Sequence, residues 1–293
     1  FELGYCSDGS TYKQYSCSNN HCILINYFQD PCSINDCKII SGDNGSIIFS
    51  KDKGKTLVPN TINNFPDFHS VSSLIFSKEG KYFETIENYH PKDDEVFISG
   101  LYESDNLCNW NRVSNINLDS LAEDYNIKGL FYGVNYYGKL FYSNGGRIFE
   151  EIDLPEGRTN VLTINVGPSS EAISNGMIYI IAGDGYGSYY LYKSNDAGKN
   201  FIDITPLYHS QYGAFILVEP DLDNSNIIYT ARTGPDGIYK TEDGGLNWVK
   251  INNGFLLGDN DYIQNVRMFS INTLNSDELY AKVNTKERGS LWT

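Results

Sequence analysis

Three aspartates stand in short glycine-bearing turns: Asp43-Asn44-Gly45, Asp184-Gly185-Tyr186-Gly187 and Pro235-Asp236-Gly237. Hydrolysis of a glycosidic bond needs two carboxyl groups about 5–10 Å apart across a cleft, one of them kept protonated. Asp43, Asp184 and Asp236 are therefore the candidate catalytic carboxylates if the chain is an enzyme. Two further turns read Asn135-Tyr136-Tyr137-Gly138 and Lys286-Glu287-Arg288-Gly289. A turn does not require paired aromatics, and tyrosine is a frequent anchor of recognition surfaces. Tyr136, Tyr137, Asp184, Tyr186, Asp236, Glu287 and Arg288 thus form the candidate binding set. The competing reading gives Asp and Gly a role in turn geometry alone.

Other chemistries fail on the residues. Gly133 to Lys139 has the spacing of a phosphate-binding loop, but Leu140 replaces the required hydroxyl residue and no helix follows. His21, His69, His90 and His209 are scattered, with no His-Glu-x-x-His pair. Asp221-Leu222-Asp223-Asn224-Ser225 begins like a calcium loop, yet Asn226 stands where glycine belongs and Arg232 where the bidentate glutamate should be. No metal ligand is assigned, and no cofactor is expected, a loosely held Ca²⁺ being the one alternative carried.

Of the six cysteines, Cys6, Cys17, Cys22, Cys32 and Cys37 fall in the first 37 residues and Cys108 stands alone. They contain no Cys-x-x-Cys pair, so disulfides fit better than zinc. Disulfides imply an oxidising compartment: secreted, extracellular or cell surface, or the lumen of the secretory pathway. Six paired cysteines allow 15 connectivities, and the spacing does not choose among them. Residues 13–37 read as a disulfide-rich loop or cap, with Cys108 tying it to the body of the domain. The sequon Asn44-Gly45-Ser46 is compatible with secretion, and the start at Phe1 reads as a processed chain.

The elements that must position these residues are strands. The chain has 293 residues with 23 Tyr, 15 Phe and 27 Gly, and aromatic runs are broken by Gly and Asn clusters, which is the pattern of many short strands joined by turns. Lys+Arg 22 against Asp+Glu 37 gives a formal charge of -15, which repels a phosphate backbone, so no nucleic-acid partner is expected. The longest apolar runs, such as Ala214 to Val218, are far short of the roughly 20 residues of a membrane-spanning helix.

One octapeptide recurs. Ser50-Lys51-Asp52-Lys53-Gly54-Lys55-Thr56-Leu57 returns as Ser194-Asn195-Asp196-Ala197-Gly198-Lys199-Asn200-Phe201 and as Thr241-Glu242-Asp243-Gly244-Gly245-Leu246-Asn247-Trp248. Glu103 to Trp110 keeps Asp105, Asn109 and Trp110 but loses the glycine. Ser143 to Phe149 is a shortened copy, and Ser7 to Tyr12 a fainter one. The pattern resembles the Asp-box, or BNR, repeat of β-propellers found in sialidases, GH74-type xyloglucanases, sortilin/Vps10 receptors and photosystem-assembly propellers. The resemblance implies a structural role for Asp52, Asp105, Asp196 and Asp243, whose carboxylates cap their own turns. It implies the same for Trp110, Phe201 and Trp248, which insert between sheets. Anchors at positions 8, 52, 105, 145, 196 and 243 are 44, 53, 40, 51 and 47 residues apart. The expected fold is all-β: residues 1–293 form a single propeller of about six four-stranded blades, seven being the alternative, closed by the N- and C-terminal strands.

In such a blade the box turn joins strands three and four and opens on one face. The turn between strands two and three opens on the other, where propellers usually bind. That second face holds the candidate binding set named above. The expectation is a secreted, non-enzymatic recognition module for a protein or peptide partner with a basic patch, as one module of a larger scaffold or receptor. The alternative is a propeller that binds or hydrolyses polysaccharide in the manner of GH74. A sialidase fits poorly: the chain has six arginines and no Arg-Ile-Pro, and Arg147-Ile148-Phe149 lies in a box turn on the wrong face.

Overall fold

A computed structural model describes residues 11–18, 21–29, 48–49, 58–59, 70–87, 99–105, 109–169, 175–206, 214–233, 237–252, 263–271, 278–285 and 289–292. These form strands and turns, with no helix among the described residues. β1 (Thr11–Ser18) and β2 (His21–Gln29) pair with each other, as do β3 (Ile48–Phe49) and β4 (Val58–Pro59). Four complete four-stranded antiparallel sheets follow. The first is β5 (Ser70–Phe76), β6 (Tyr82–Glu87), β7 (Gly100–Ser104) and β8 (Asn111–Ser114). The second is β9 (Ser120–Glu123), β10 (Leu130–Val134), β11 (Leu140–Asn144) and β12 (Glu150–Ile152). The third is β13 (Asn160–Gly167), β14 (Met177–Gly183), β15 (Tyr189–Ser194) and β16 (Ile202–Asp203). The fourth is β17 (Phe215–Pro220), β18 (Ile228–Arg232), β19 (Gly237–Thr241) and β20 (Val249–Lys250). β21 (Ile263–Ile271), β22 (Leu279–Thr285) and β23 (Gly289–Trp292) make a three-stranded sheet.

Each sheet is an up-and-down meander, and β5, β9, β13, β17 and β21 lie side by side in that order. Consecutive meanders with their first strands innermost make a β-propeller of several blades, the fold expected from the repeat. The expected closure is not seen among the described pairings. The N-terminal strand pairs within its own hairpin, and the last sheet has three strands. The segment expected as a loop or cap, 13–37, also contains most of that hairpin, whose backbone register sets Cys17 opposite Cys22.

The core lies between sheets. In β14, Ile178, Ile180 and Ala182 pack toward the second sheet with Leu130, Tyr132 and Val134, while Met177, Tyr179 and Ile181 pack toward the fourth with Phe215, Val218 and Ile228. Both faces of this strand are covered, which explains why its sequence is continuously apolar rather than alternating. Each large side chain buried this way contributes about 1.5–3 kcal/mol.

Candidate functional site

The turn from β10 to β11 is organised by Asn135, whose Oδ1 accepts the Tyr137 and Lys139 N–H groups at 3.1 and 2.9 Å. In the turn from β14 to β15, Asp184 takes the same part: its Oδ1 accepts the Tyr186 and Ser188 N–H groups at 2.8 and 3.2 Å. Capping by these short side chains leaves the residues between them pointing outward. Tyr136, Tyr137 and Tyr186 are 70%, 76% and 96% exposed. The Tyr136 and Tyr137 rings meet edge to face at 5.6 Å.

The two turns flank one segment. Val161 N–H donates to the Gly138 carbonyl at 2.7 Å, and Thr159 N–H donates to the Gly183 carbonyl at 2.9 Å. Gly138 has φ +73°, and a β-carbon there would stand 2.5 Å from that of Asn160, so this close approach requires glycine. Tyr136, Tyr137, Asp184 and Tyr186 therefore share one face around residues 158–161. Asp43, Asp236, Glu287 and Arg288 lie outside the described residues.

Arg158 belongs to this face and was missed by sequence reasoning. Its guanidinium carbon lies 3.8 Å from the Tyr190 ring centroid, and its Nε–H donates to the Tyr192 hydroxyl at 2.7 Å. A contact across more than 30 residues leaves no local pattern. The available signal was the alternation of Tyr190 and Tyr192 on one side of a strand.

Asp184 is held ionised. The backbone amide of Tyr186 is the leading cause that lowers its carboxyl below the usual range, with the Ser188 amide and the Arg158 charge adding to it. Two carboxyls move the other way. Glu219, on the innermost strand β17, is pushed up to about 7 by burial, opposed by a 2.8 Å hydrogen bond from Asn165 Nδ2. Glu84 is fully buried, neither oxygen has a partner, and burial raises it to about 8. Asp221 caps its own turn through Oδ1, which accepts the Asp223 and Asn224 N–H groups at 2.8 and 2.9 Å. No group of three or more His, Cys, Asp or Glu able to hold a metal gathers among the described residues.

The octapeptides at 194–201 and 241–248 form the turns between strands three and four, at the opposite end of β15 and β19 from the tyrosine face. The six residues of β15 separate the two ends by roughly 20 Å at about 3.3 Å per residue. Asp196 Oδ1 accepts the Ser194 hydroxyl at 2.8 Å and the Asn200 N–H at 2.9 Å, and its Oδ2 accepts Asn200 Nδ2 at 2.7 Å. Asp243 makes the same set with Thr241 and Asn247 at 2.7, 2.8 and 2.7 Å. Phe201 packs on the core toward the second sheet, and Trp248 donates its indole N–H to the Ile204 carbonyl at 2.8 Å. Trp110 is buried. Asp105 is described only at its own position. Its side chain is 83% exposed and its ion pair is with Lys81 at 4.0 Å. Residues 106–108 of its octapeptide lie outside the described residues. Asp52 and Cys6, Cys32, Cys37 and Cys108 lie outside the described residues, as do the side chains of Cys17 and Cys22.

No protein-family model matches the chain, and no curated protein matches it in sequence. Solved structures do. An ancestral GH74 enzyme is similar at 20% identity and TM-score 0.52, over 73% of this chain and 27% of that one. A GH74 enzyme from Niastella koreensis is similar at 16% identity and TM-score 0.55, over 84% of this chain and 42% of that one. YCF48 from Cyanidioschyzon merolae is similar at 11% identity and TM-score 0.53, over 82% and 74%. At these identities the likeness establishes the β-propeller fold. The chain spans 27% and 42% of the two GH74 chains.

Proposed function

We propose that the chain is a recognition module that binds a protein or peptide carrying basic groups through the face formed by Tyr136, Tyr137, Asp184 and Tyr186, extended by Asp236, Glu287 and Arg288. The exposure of Tyr136 and Tyr137, side by side in a turn whose geometry is already supplied by Asn135 and Gly138, carries this reading. Exposed tyrosine rings accept Lys and Arg on their faces, and a formal charge of -15 favours such a partner at long range. In the same reading the turns at 194–201 and 241–248 are Asp boxes that hold the hairpins and take no part in binding. The module belongs to a secreted or cell-surface protein whose N-terminal cysteines are disulfide-bonded, within a larger scaffold or receptor.

A second reading is a glycan-binding or glycan-hydrolysing propeller. Tyrosine faces also stack on sugars, and two of the similar structures are GH74 enzymes. Asp184 suits this reading only in part. Its lowered carboxyl fits a base or nucleophile, and a protonated partner would have to come from Asp43 or Asp236.

The two readings separate in one set of measurements: binding to arrayed Lys- and Arg-containing peptides, and reducing-end release from xyloglucan and a glycan panel. The recognition reading expects saturable peptide binding, weakened by salt and weakened about tenfold by Tyr136→Ala or Tyr186→Ala, with no turnover. Turnover of a glycan that Asp184→Ala abolishes would establish the second reading instead.

A further inference from the structure

Arg158 is held unusually firmly for an arginine at a surface connection. Tyr190 stacks on one face of the guanidinium, the Tyr192 hydroxyl takes the Nε–H, and Nη1 reaches the Gly157 carbonyl at 3.3 Å. Tyr192 is itself 5% exposed and packed in the core between the second and third sheets, so the group that orients Arg158 is fixed. A guanidinium has five N–H donors, and these contacts use two. Three remain for a ligand.

The three other arginines whose side chains are described are spent differently. Arg112 Nη2 donates to the Ser99 carbonyl, Arg147 pairs with Glu103 at 3.5 Å, and Arg232 is buried over the Phe215 ring. Among the described residues Arg158 has no carboxylate within ion-pairing distance, in a chain with 37 acidic and 22 basic residues. Aromatic groups rather than a carboxylate hold it in place. An arginine fixed in this way loses little conformational freedom when it meets an anion, and its planar fork matches a carboxylate.

We propose that Arg158 docks a carboxylate of the bound partner, so that the recognised peptide carries an acidic side chain beside its basic ones. This rests on the reading of the tyrosine face as the recognition surface, since Arg158 lies between the turns that carry Tyr136, Tyr137 and Tyr186. The ionised Asp184 on the same face disfavours a ligand that is only anionic. The basic group meets Asp184 and the tyrosine rings, and the carboxylate meets Arg158. The required chemistry is a peptide with both charges in fixed relation.

The test uses short peptides, acetylated at the N-terminus and amidated at the C-terminus, with one lysine and one glutamate separated by one to six residues, each with its Glu→Gln counterpart. Binding is followed by chemical-shift changes in the isotope-labelled protein. With the wild-type protein, Glu→Gln in the best-binding peptide weakens affinity about tenfold, within the range for a charge-assisted hydrogen bond. With Arg158→Lys the Glu and Gln peptides bind alike, and Tyr192→Phe, which leaves the fold packed but releases Nε, reduces the discrimination. If Glu and Gln peptides bind the wild type equally while Tyr136→Ala abolishes binding, the carboxylate assignment is wrong and the recognition face stands. If no peptide binds, or binding ignores Tyr136→Ala and Tyr186→Ala, both fall. Preferential binding of methyl glucuronoside over every peptide, lost in Arg158→Lys, overturns the peptide source.

Discussion

The carboxylate of Asp124, in the turn after β9, accepts the backbone N–H of Gly176, just before β14 in the next sheet, at 2.9 and 3.1 Å from its two oxygens. Asp124 also accepts the Asn126 and Ile127 N–H groups of its own turn at 2.8 Å each and the Tyr132 hydroxyl at 3.0 Å. One carboxylate thus closes a turn and ties adjacent blades together. Asp221 occupies the matching turn two blades on, closes it in the same way, and has an Oδ2 that is buried without a partner.

The pair gives a direct comparison. Asp124→Ala leaves buried N–H groups on two sheets without acceptors and is expected to cost about 3 kcal/mol or more. Asp221→Ala loses only the turn bonds and relieves an unpartnered oxygen, so about 1 kcal/mol is expected. Urea unfolding of both variants checks this, and equal losses would remove the inter-blade role of Asp124.

The turn aspartates act at acid pH. Hydrogen bonds from the Asn247 backbone and side chain, then from Thr241, bring the Asp243 carboxyl down to about 2. Asp196 is also lowered: burial works against the shift, and the bonds from Asn200 and Ser194 overcome it. A carboxyl depressed in the folded state stabilises above its unfolded value near 4 and loses that contribution as pH falls toward 2. Asp243→Asn should therefore flatten the fall in thermal midpoint between about pH 4 and pH 2 while changing little of the pH dependence above 5. A wild-type acid limb unchanged in the variant would show that the turn carboxylate is not linked to folding.

What the sequence made legible follows the range of the interactions. Ser194, Asp196, Gly198 and Asn200 bond within one turn, so their chemistry is written in adjacent letters, and the propeller could be read from its repeats. Asp124 and Asp221 look alike locally. The Gly176 N–H that Asp124 accepts comes from 52 residues away, beyond any local pattern. Arg158 depends on tyrosines more than 30 residues distant. In the N-terminal segment cysteine density suggested a loop or cap, and the β1–β2 hairpin that forms there draws its strand character from Tyr12, Tyr15, Ile23, Leu24, Tyr27 and Phe28 in the sequence.

Gly138 allows a test of the recognition face without touching any residue expected to contact a ligand. With φ +73° and Asn160 Cβ 2.5 Å from where a β-carbon would stand, Gly138→Ala forces the Tyr136–Tyr137 turn away from residues 159–161. A strained turn of this kind costs of order 1–3 kcal/mol in stability. Peptide binding should weaken roughly as much as in Tyr136→Ala. Unaltered binding in a destabilised Gly138→Ala protein would mean that the two turns need not be held in register.

Glu84 sets the opposite pH dependence. It lies mid-strand in β6 between Leu74 and Tyr102 on the neighbouring strands, with both oxygens buried and unpartnered. Its carboxyl, pushed up to about 8, binds a proton more tightly in the folded than in the unfolded chain. Its favourable linkage is complete below the unfolded value near 4.5 and is lost as pH rises to about 8, a change of about 3–5 kcal/mol. Glu219, at about 7, adds a smaller decline over the lower part of that window. Glu84→Gln keeps the shape of the protonated acid and cannot ionise. Its stability should match the wild type near pH 5 and exceed it increasingly toward pH 9, as measured by urea unfolding at fixed ionic strength. If the wild type and Glu84→Gln run parallel across that range, the Glu84 carboxyl is hydrated or paired in solution.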